Sequence, residues 1–264
     1  MNIITPRDSV NKGYRRVQID HNAYKKFLDA LEVFVGNIRE TGQSEEQQKN
    51  ILTKFLHDAF YSTYDLSAVN NIDLAIRLDS SSTSNIGVMF EVKGIGRPDM
   101  PTLENINTKA LRELLLYYFR QRKNGNADIR HLVITNTREF FIFDAVEFER
   151  LFYRNTSLIR KFEDFERGCL ASTNTDYFYS EIAAPAISQV SDRLSVTYFS
   201  LKDYKRAIRN RETTGMLTHL YRLLSPVHML KLTFQNDSNS LNERFYHELL
   251  YLIGLEETSE GKKP

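Results

Sequence analysis

The sequence predicts an α/β fold, a mixed sheet flanked by helices and followed by a mainly helical region, and three observations support this. Two apolar runs with period-two alternation, "IDLAIRL" (72–78) and "GVMFEVKG" (87–94), lie on either side of a Ser-rich turn. A long apolar segment with helical spacing, "INTKALRELLLYYFRQRK" (106–123), comes next. Two further β-rich runs, "RHLVITN" and "EFFIFDA", follow it around "TNTR", a strand–turn–strand signal. The order helix–helix–strand–strand–helix–strand–strand over residues 1–170 is that of a small mixed sheet covered by helices.

Taken in order, residues 21–40 place Tyr24, Phe27, Leu28, Leu31, Phe34, Val35 and Ile38 at helical spacing. A second helix follows with Ile51, Leu52, Phe55, Leu56, Ala59 and Phe60, and Ser44 with Gln47 three residues on forms a capping box at its start. The two candidate strands come next, then a loop carrying Gly96, Pro98 and Pro101. The 106–123 helix ends in basic residues, which suits its C-terminal dipole. Helices are expected over 144–168. Beyond "GCLASTNT" the character changes: helices over 176–194 and 201–224 bracket a short strand, "SVTYFS", and a last helix spans 241–257. Its Phe245, Leu249, Leu252 and Ile253 make an apolar stripe suited to packing against another domain.

Bulk composition narrows the function classes. With 264 residues, 41% of them hydrophobic, the chain can bury a sizeable core. No apolar run approaches the ~20 residues a bilayer requires, and the N-terminus lacks the apolar segment of a secretory signal. No membrane partner is therefore expected, and Cys169, the only cysteine, leaves no internal disulfide or zinc cluster, so a reducing cytoplasm is the expected location. A net charge of +1 argues against a protein that coats nucleic acid by overall basicity, while leaving room for a local basic patch.

The chemistry-bearing residues lie in the first strand pair. Even positions Ile72, Leu74, Ile76, Leu78, Val88, Phe90 and Val92 are apolar, and Asp73, Arg77, Glu91 and Lys93 occupy odd ones. Antiparallel pairing of the two runs would bring Asp73 and Glu91 together near the sheet rim, with Lys93 on the same side and Gly94 releasing the chain. Phosphodiester hydrolysis needs such a group. Hard divalent ions bind through one or two carboxylates and keep several waters, the Val92 carbonyl offers a third oxygen, and an ammonium stabilises charge at the phosphate. Alternating charge on a solvated edge strand, a protection against aggregation, explains the same spacing equally well.

The ordered series of Asp, turn, Glu-x-Lys, helix and two more strands resembles the PD-(D/E)XK restriction-endonuclease-like fold. In more detail, "TSNIGVMFEVKGIGRPDM", "LENINTKALRELLLYYFRQRK" and "IRHLVITNTREFFIFDAVEFERLFYRN" are similar to the nuclease part of type IIG restriction enzymes. Those enzymes fuse a nuclease, a helical connector, an adenine methyltransferase and a target-recognition domain. The stretch "YRLLSPVHMLKLTFQNDSNSLNERFYHELLYLIGLEE" resembles their connector, so the likeness runs from residue 40 to 257. The resemblance implies a nuclease domain over 1–170 and a helical connector over 171–264, leading towards a methyltransferase that this sequence lacks. Neither an Asn-Pro-Pro-Tyr motif nor a glycine-rich methyl-donor loop is present. It further implies Asp73 and Glu91 as metal ligands and Lys93 as the catalytic lysine, with Mg²⁺ as cofactor and Mn²⁺ substituting. Ile72 stands where the motif's nominal proline would be. Glu46 matches an acidic residue carried on the preceding helix, with Glu45 as the competing candidate. The implied substrate is double-stranded DNA, cut for phage defence. Cutting both strands would need a transient dimer or a partner chain, and the methyltransferase and target-recognition domains would act in the same longer chain or in trans.

Two basic features complete the candidate set. Lys109, at the start of the 106–123 helix, is placed to reach a DNA phosphate or to be a solvated helix-end lysine. In "KDYKRAIRNR", Lys202, Arg206 and Arg209 share one helical face, a candidate phosphate track or a docking surface for the methyltransferase. The competing function is non-enzymatic: a DNA-binding or scaffolding module on the same fold, with the acidic cluster as a polar surface.

Overall fold

The computed structural model describes residues 1–38, 43–212, 215–234 and 250–253. Seven strands form one sheet: β1 (Asn2–Ile4), β2 (Leu66–Val69), β3 (Ile72–Arg77), β4 (Ile86–Val92), β5 (His131–Thr135), β6 (Glu139–Asp144) and β7 (Ser195–Ser200), in the order β1-β7-β6-β5-β4-β3-β2. β4–β5 and β1–β7 pair in parallel and the remaining neighbours antiparallel, so the sheet is mixed. The parallel step from β4 to β5 crosses over through the long helix Lys109–Lys123.

Helices cover both faces. Alternate residues of the central strands divide between two cores: Ala75, Met89, Leu132, Ile134, Phe141 and Phe143 face one way, and Leu74, Val88, Phe90, Val133, Phe140 and Ile142 the other. The first core is closed by Leu111, Leu114 and Leu115 of the Lys109–Lys123 helix together with Phe162, Phe178 and Ile187. The second is closed by α1 (His21–Asn37), α2 (Glu45–Leu56) and the C-terminal helices Leu201–Arg209 and Met216–Leu224. Hereafter α3 denotes Lys109–Lys123, α4 Thr156–Glu166, α5 Leu201–Arg209 and α6 Met216–Leu224. Every residue of β4 is buried, so the odd-numbered face of the strand pair is covered by α3 and is not a solvated edge. Ile72 and Ile86 depart from strict parity and join the α3 side; each lies at a strand end beside a register shift, where alternation slips.

The expected boundary at residue 170 does not separate two units. β7, from the expected connector, pairs with β6 and lies inside the sheet, and Leu217, Leu220 and Leu223 of α6 share a core with Phe27 and Phe55. Hydrogen bonds reinforce the join: the Tyr61 hydroxyl donates to the Leu224 carbonyl (2.8 Å) and the Tyr24 hydroxyl to the Glu212 carbonyl (2.8 Å). Of the last helix expected over 241–257, the Phe245 and Leu249 positions lie outside the described residues, while Leu252 and Ile253 are exposed. No helix among the described residues is long and apolar enough to cross a membrane.

Candidate active site

One rim of the sheet gathers the carboxy ends of β4 and β5 and the start of β3. The β3–β4 register pairs Leu74 with Phe90, and one further step sets Asp73 opposite Glu91. Asp73 is fixed by β4 itself, its Oδ2 accepting the Val92 N–H at 2.8 Å. Glu91 points to the α3 side, where it is 3% exposed. Lys93, two residues on, turns back onto it with Nζ 2.7 Å from Glu91 Oε1. The same Nζ lies 2.5 Å from Glu113 Oε2, a carboxylate delivered by α3 and itself 9% exposed.

Two buried acids share one ammonium at this centre. Burial foremost pushes the Glu91 carboxyl well above its ordinary range, with Asp73 and Glu113 adding to the rise and Lys93 opposing it. Burial alone would push the Lys93 ammonium down, but Glu91 and Glu113 outweigh it and hold it up. Lys93 is therefore a cation here. The second oxygen, Glu91 Oε2, is buried and has no hydrogen-bond partner, an unsatisfied acceptor that a packed core does not ordinarily tolerate. Beside it, Tyr117 and Tyr179 pair their hydroxyls, and burial and the nearby carboxylates raise both phenols.

The first turn of α2 holds the end of β4 in place. Ser44 and Gln47 form the expected capping box, so the helix starts at Glu45. Glu45 Oε1 accepts the Gly94 N–H at 3.1 Å. Gln48 is 1% exposed and, with its amide oriented so that both ends are paired, donates to the Lys93 carbonyl (2.9 Å) and accepts from the Ile95 N–H (3.2 Å). Lys49 bridges Glu46 Oε2 (2.8 Å) and Asp73 Oδ1 (3.4 Å). Of the two helix-start acids, Glu45 is thus bonded to the strand that carries Lys93. Glu46, its side chain 70% exposed, reaches Asp73 only through Lys49.

The structure therefore brings Asp73, Glu91 and Lys93 to one rim and places Glu45, Glu46, Gln48, Lys49 and Glu113 around them. Lys109 is half exposed and faces Glu113 Oε1 at 3.9 Å, one helical turn away. Lys202, Arg206 and Arg209 are exposed on α5, which begins at this same rim because β7 ends there. Glu113, Gln48 and Lys49 are the residues here that sequence reasoning missed, and Glu113 is the most deeply involved. Its signal was an acid at helical spacing between Ala110 and Tyr117, on the face that α3 turns inward. Asp73 and Glu91 are the hard oxygen donors available to a divalent cation. Among the described residues there is no group of three or more His, Cys, Asp or Glu placed to hold a metal.

Fold and site together define an α/β protein with a buried acid–lysine centre at one rim of a mixed sheet. Residues 4–237 match the family described as Domain of unknown function (DUF7149), and the chain belongs to it. No curated protein and no solved structure matches the chain.

Proposed function

We propose that this chain is a Mg²⁺-dependent nuclease domain with a restriction-endonuclease-like fold, hydrolysing DNA phosphodiester bonds as part of a restriction–modification enzyme. The observation that carries this reading is the meeting of Asp73, Glu91 and Lys93 at one rim, with Glu91 Oε2 buried and unpartnered. The element order α2–β2–β3–β4–α3–β5 supports it. Asp73 and the free Glu91 oxygen would hold the ion, a two-carboxylate set that leaves most of the coordination sphere to water and phosphate. Bound there, Mg²⁺ would supply Lewis-acid neutralisation of the phosphate. Lys93, held as a cation, suits stabilising charge on the phosphate oxygens; it carries no free base to accept a proton. Glu113 and Gln48 keep the Lys93 side chain and backbone in place.

The test is cleavage of supercoiled plasmid by the isolated chain with Mg²⁺ or Mn²⁺. Nicked circles are expected, and Asp73→Ala, Glu91→Ala and Lys93→Ala should each abolish them. Undiminished cleavage by Lys93→Ala in a nuclease-free preparation would overturn the assignment.

One observation favours a second reading, a non-catalytic DNA-binding or scaffolding module. Lys49 and Lys93 already contact Asp73, Glu91 and Glu113, so the acids have internal counter-ions. On that reading the chain takes up no divalent ion even beside DNA.

A further inference from the structure

We infer that the nucleic-acid backbone leaves the Lys93 centre along a groove at the same rim whose phosphate contacts are Lys202 and Lys205, and that Arg206 and Arg209 take no part. The inference rests on the nuclease reading for its ligand and adds the path and the residues. A cavity of about 410 Å³ at this rim is lined by Ile95 and Gly96, by Val35 and Ile38, and by Lys202 and Lys205. Arg138, in the β5–β6 turn, lines it too. Among the described residues its one carboxylate is Glu139, which accepts from the Tyr198 hydroxyl at 2.8 Å and from the Asn136 amide at 3.2 Å. Among the described residues, Lys202 and Lys205 face the groove beside that one carboxylate, which suits a polyanion.

The topology sets this groove and the acid–lysine centre at one rim of the sheet, the groove on the side of Val35, Ile38 and Leu201 and the centre on the α3 side. β4 and β5 end at this rim, β6 begins there and β7 ends there, handing the chain to α5. Lys202 and Lys205 lie in the first turns of α5, flanking its buried Leu201 and Tyr204, whereas Arg206 and Arg209 lie further along the helix and line no part of the cavity. Three strand spacings separate β4 from β7, roughly 14 Å. At about 3.4 Å per nucleotide along a strand, the lysines would meet phosphates about four nucleotides from the scissile one. Sequence periodicity grouped Lys202 with Arg206 and Arg209; the rim divides that group and adds Lys205.

The experiment is equilibrium binding of a labelled DNA duplex to the full chain in EDTA, repeated over a series of KCl concentrations. Each lost phosphate contact lowers the slope of log K against log salt by about 0.9. The variant Lys202→Ala/Lys205→Ala should therefore lose roughly 2 from the slope, and Arg206→Ala/Arg209→Ala should keep the parent slope. Equal losses in the two variants, an unchanged slope in the first, or no DNA binding by the parent would each overturn the groove. Because the measurement needs no cleavage, an inactive but binding protein would contradict the nuclease reading alone.

Discussion

The two rims of the sheet both bury ionisable groups, and they treat them in opposite ways. At the rim where β5 begins and β6 ends, His131 and His228 stack at 4.9 Å, and His131 Nδ1 donates to the Met229 carbonyl at 2.9 Å. Burial foremost pushes His131 down to about 4 and His228 well below its ordinary value, so both are neutral. The charged pair there, Asp144 and Lys231, is matched one to one with both carboxylate oxygens 2.8 Å from the ammonium. At the other rim two buried acids share Lys93 and one oxygen has no partner. A buried polar group is ordinarily satisfied, and Glu91 Oε2 is unsatisfied beside an ammonium and a second acid. On the proposed reading, that contrast separates a structural rim from a functional one.

Removing the central cation should break the functional rim hardest. Lys93→Ala is expected to lower metal-dependent cleavage by about 10²–10³-fold or more, as loss of a charge-stabilising donor does. Lys93→Met should also destabilise the fold by roughly 3–5 kcal/mol in denaturant titration, because two buried carboxylates then face each other without a counter-ion. A variant unfolding at the parent midpoint would show that the rim does not hold charge at all.

The two rims should also respond to pH with opposite sign. His131 binds its proton less readily folded than unfolded, so its contribution is complete above pH 6.5 and is lost as pH falls towards 4, about 3 kcal/mol in all. His131→Gln should flatten that window in stability–pH curves. Glu91 has the reverse sense. Its folded-state pKa is raised, so its contribution is complete below 4.5 and falls as pH rises. Glu91→Gln, which fixes the uncharged form, should therefore flatten that window in stability–pH curves while losing activity. A destabilised Glu91→Gln protein would mean that the Lys93 pair outweighs burial.

Smaller effects test how each rim is braced. Gly87, at the start of β4, lies so close under Leu230 that an added Cβ would stand 2.5 Å from Leu230 Cδ2 and 2.9 Å from Leu78 Cδ2. Gly87→Ala should cost about 1–3 kcal/mol by overpacking. No cost would mean that the 226–230 segment is not packed on the sheet. At the functional rim, Ser44→Ala removes the α2 capping box and should cost about 1 kcal/mol, read as a shift in thermal midpoint.

Local patterns carried much of this into the sequence. Period-two alternation located β3 and β4, β-rich composition located β5 and β6, the spacing of Tyr24 to Phe34 located α1, and Ser44 with Gln47 located the start of α2 to the residue. Parity also allowed Asp73 and Glu91 to converge near the rim, and the β3–β4 register sets them opposite one another. What was not legible depends on contacts distant in sequence. β1 is three residues long and defined only by its partner 193 positions away. Glu113 reads as one acid in an apolar helix until α3 is laid over β4. The boundary placed at 170 followed a change in composition, but β7 and α6 complete the sheet and core begun by the first half.

Calorimetric titration of Mn²⁺ into the isolated chain tests the central claim most directly, since it asks whether the unsatisfied rim takes up an ion. One site is expected, lost in Asp73→Ala and intact in His131→Gln at the opposite rim. No uptake by the parent even with DNA present, or uptake undiminished by Asp73→Ala, would contradict the account.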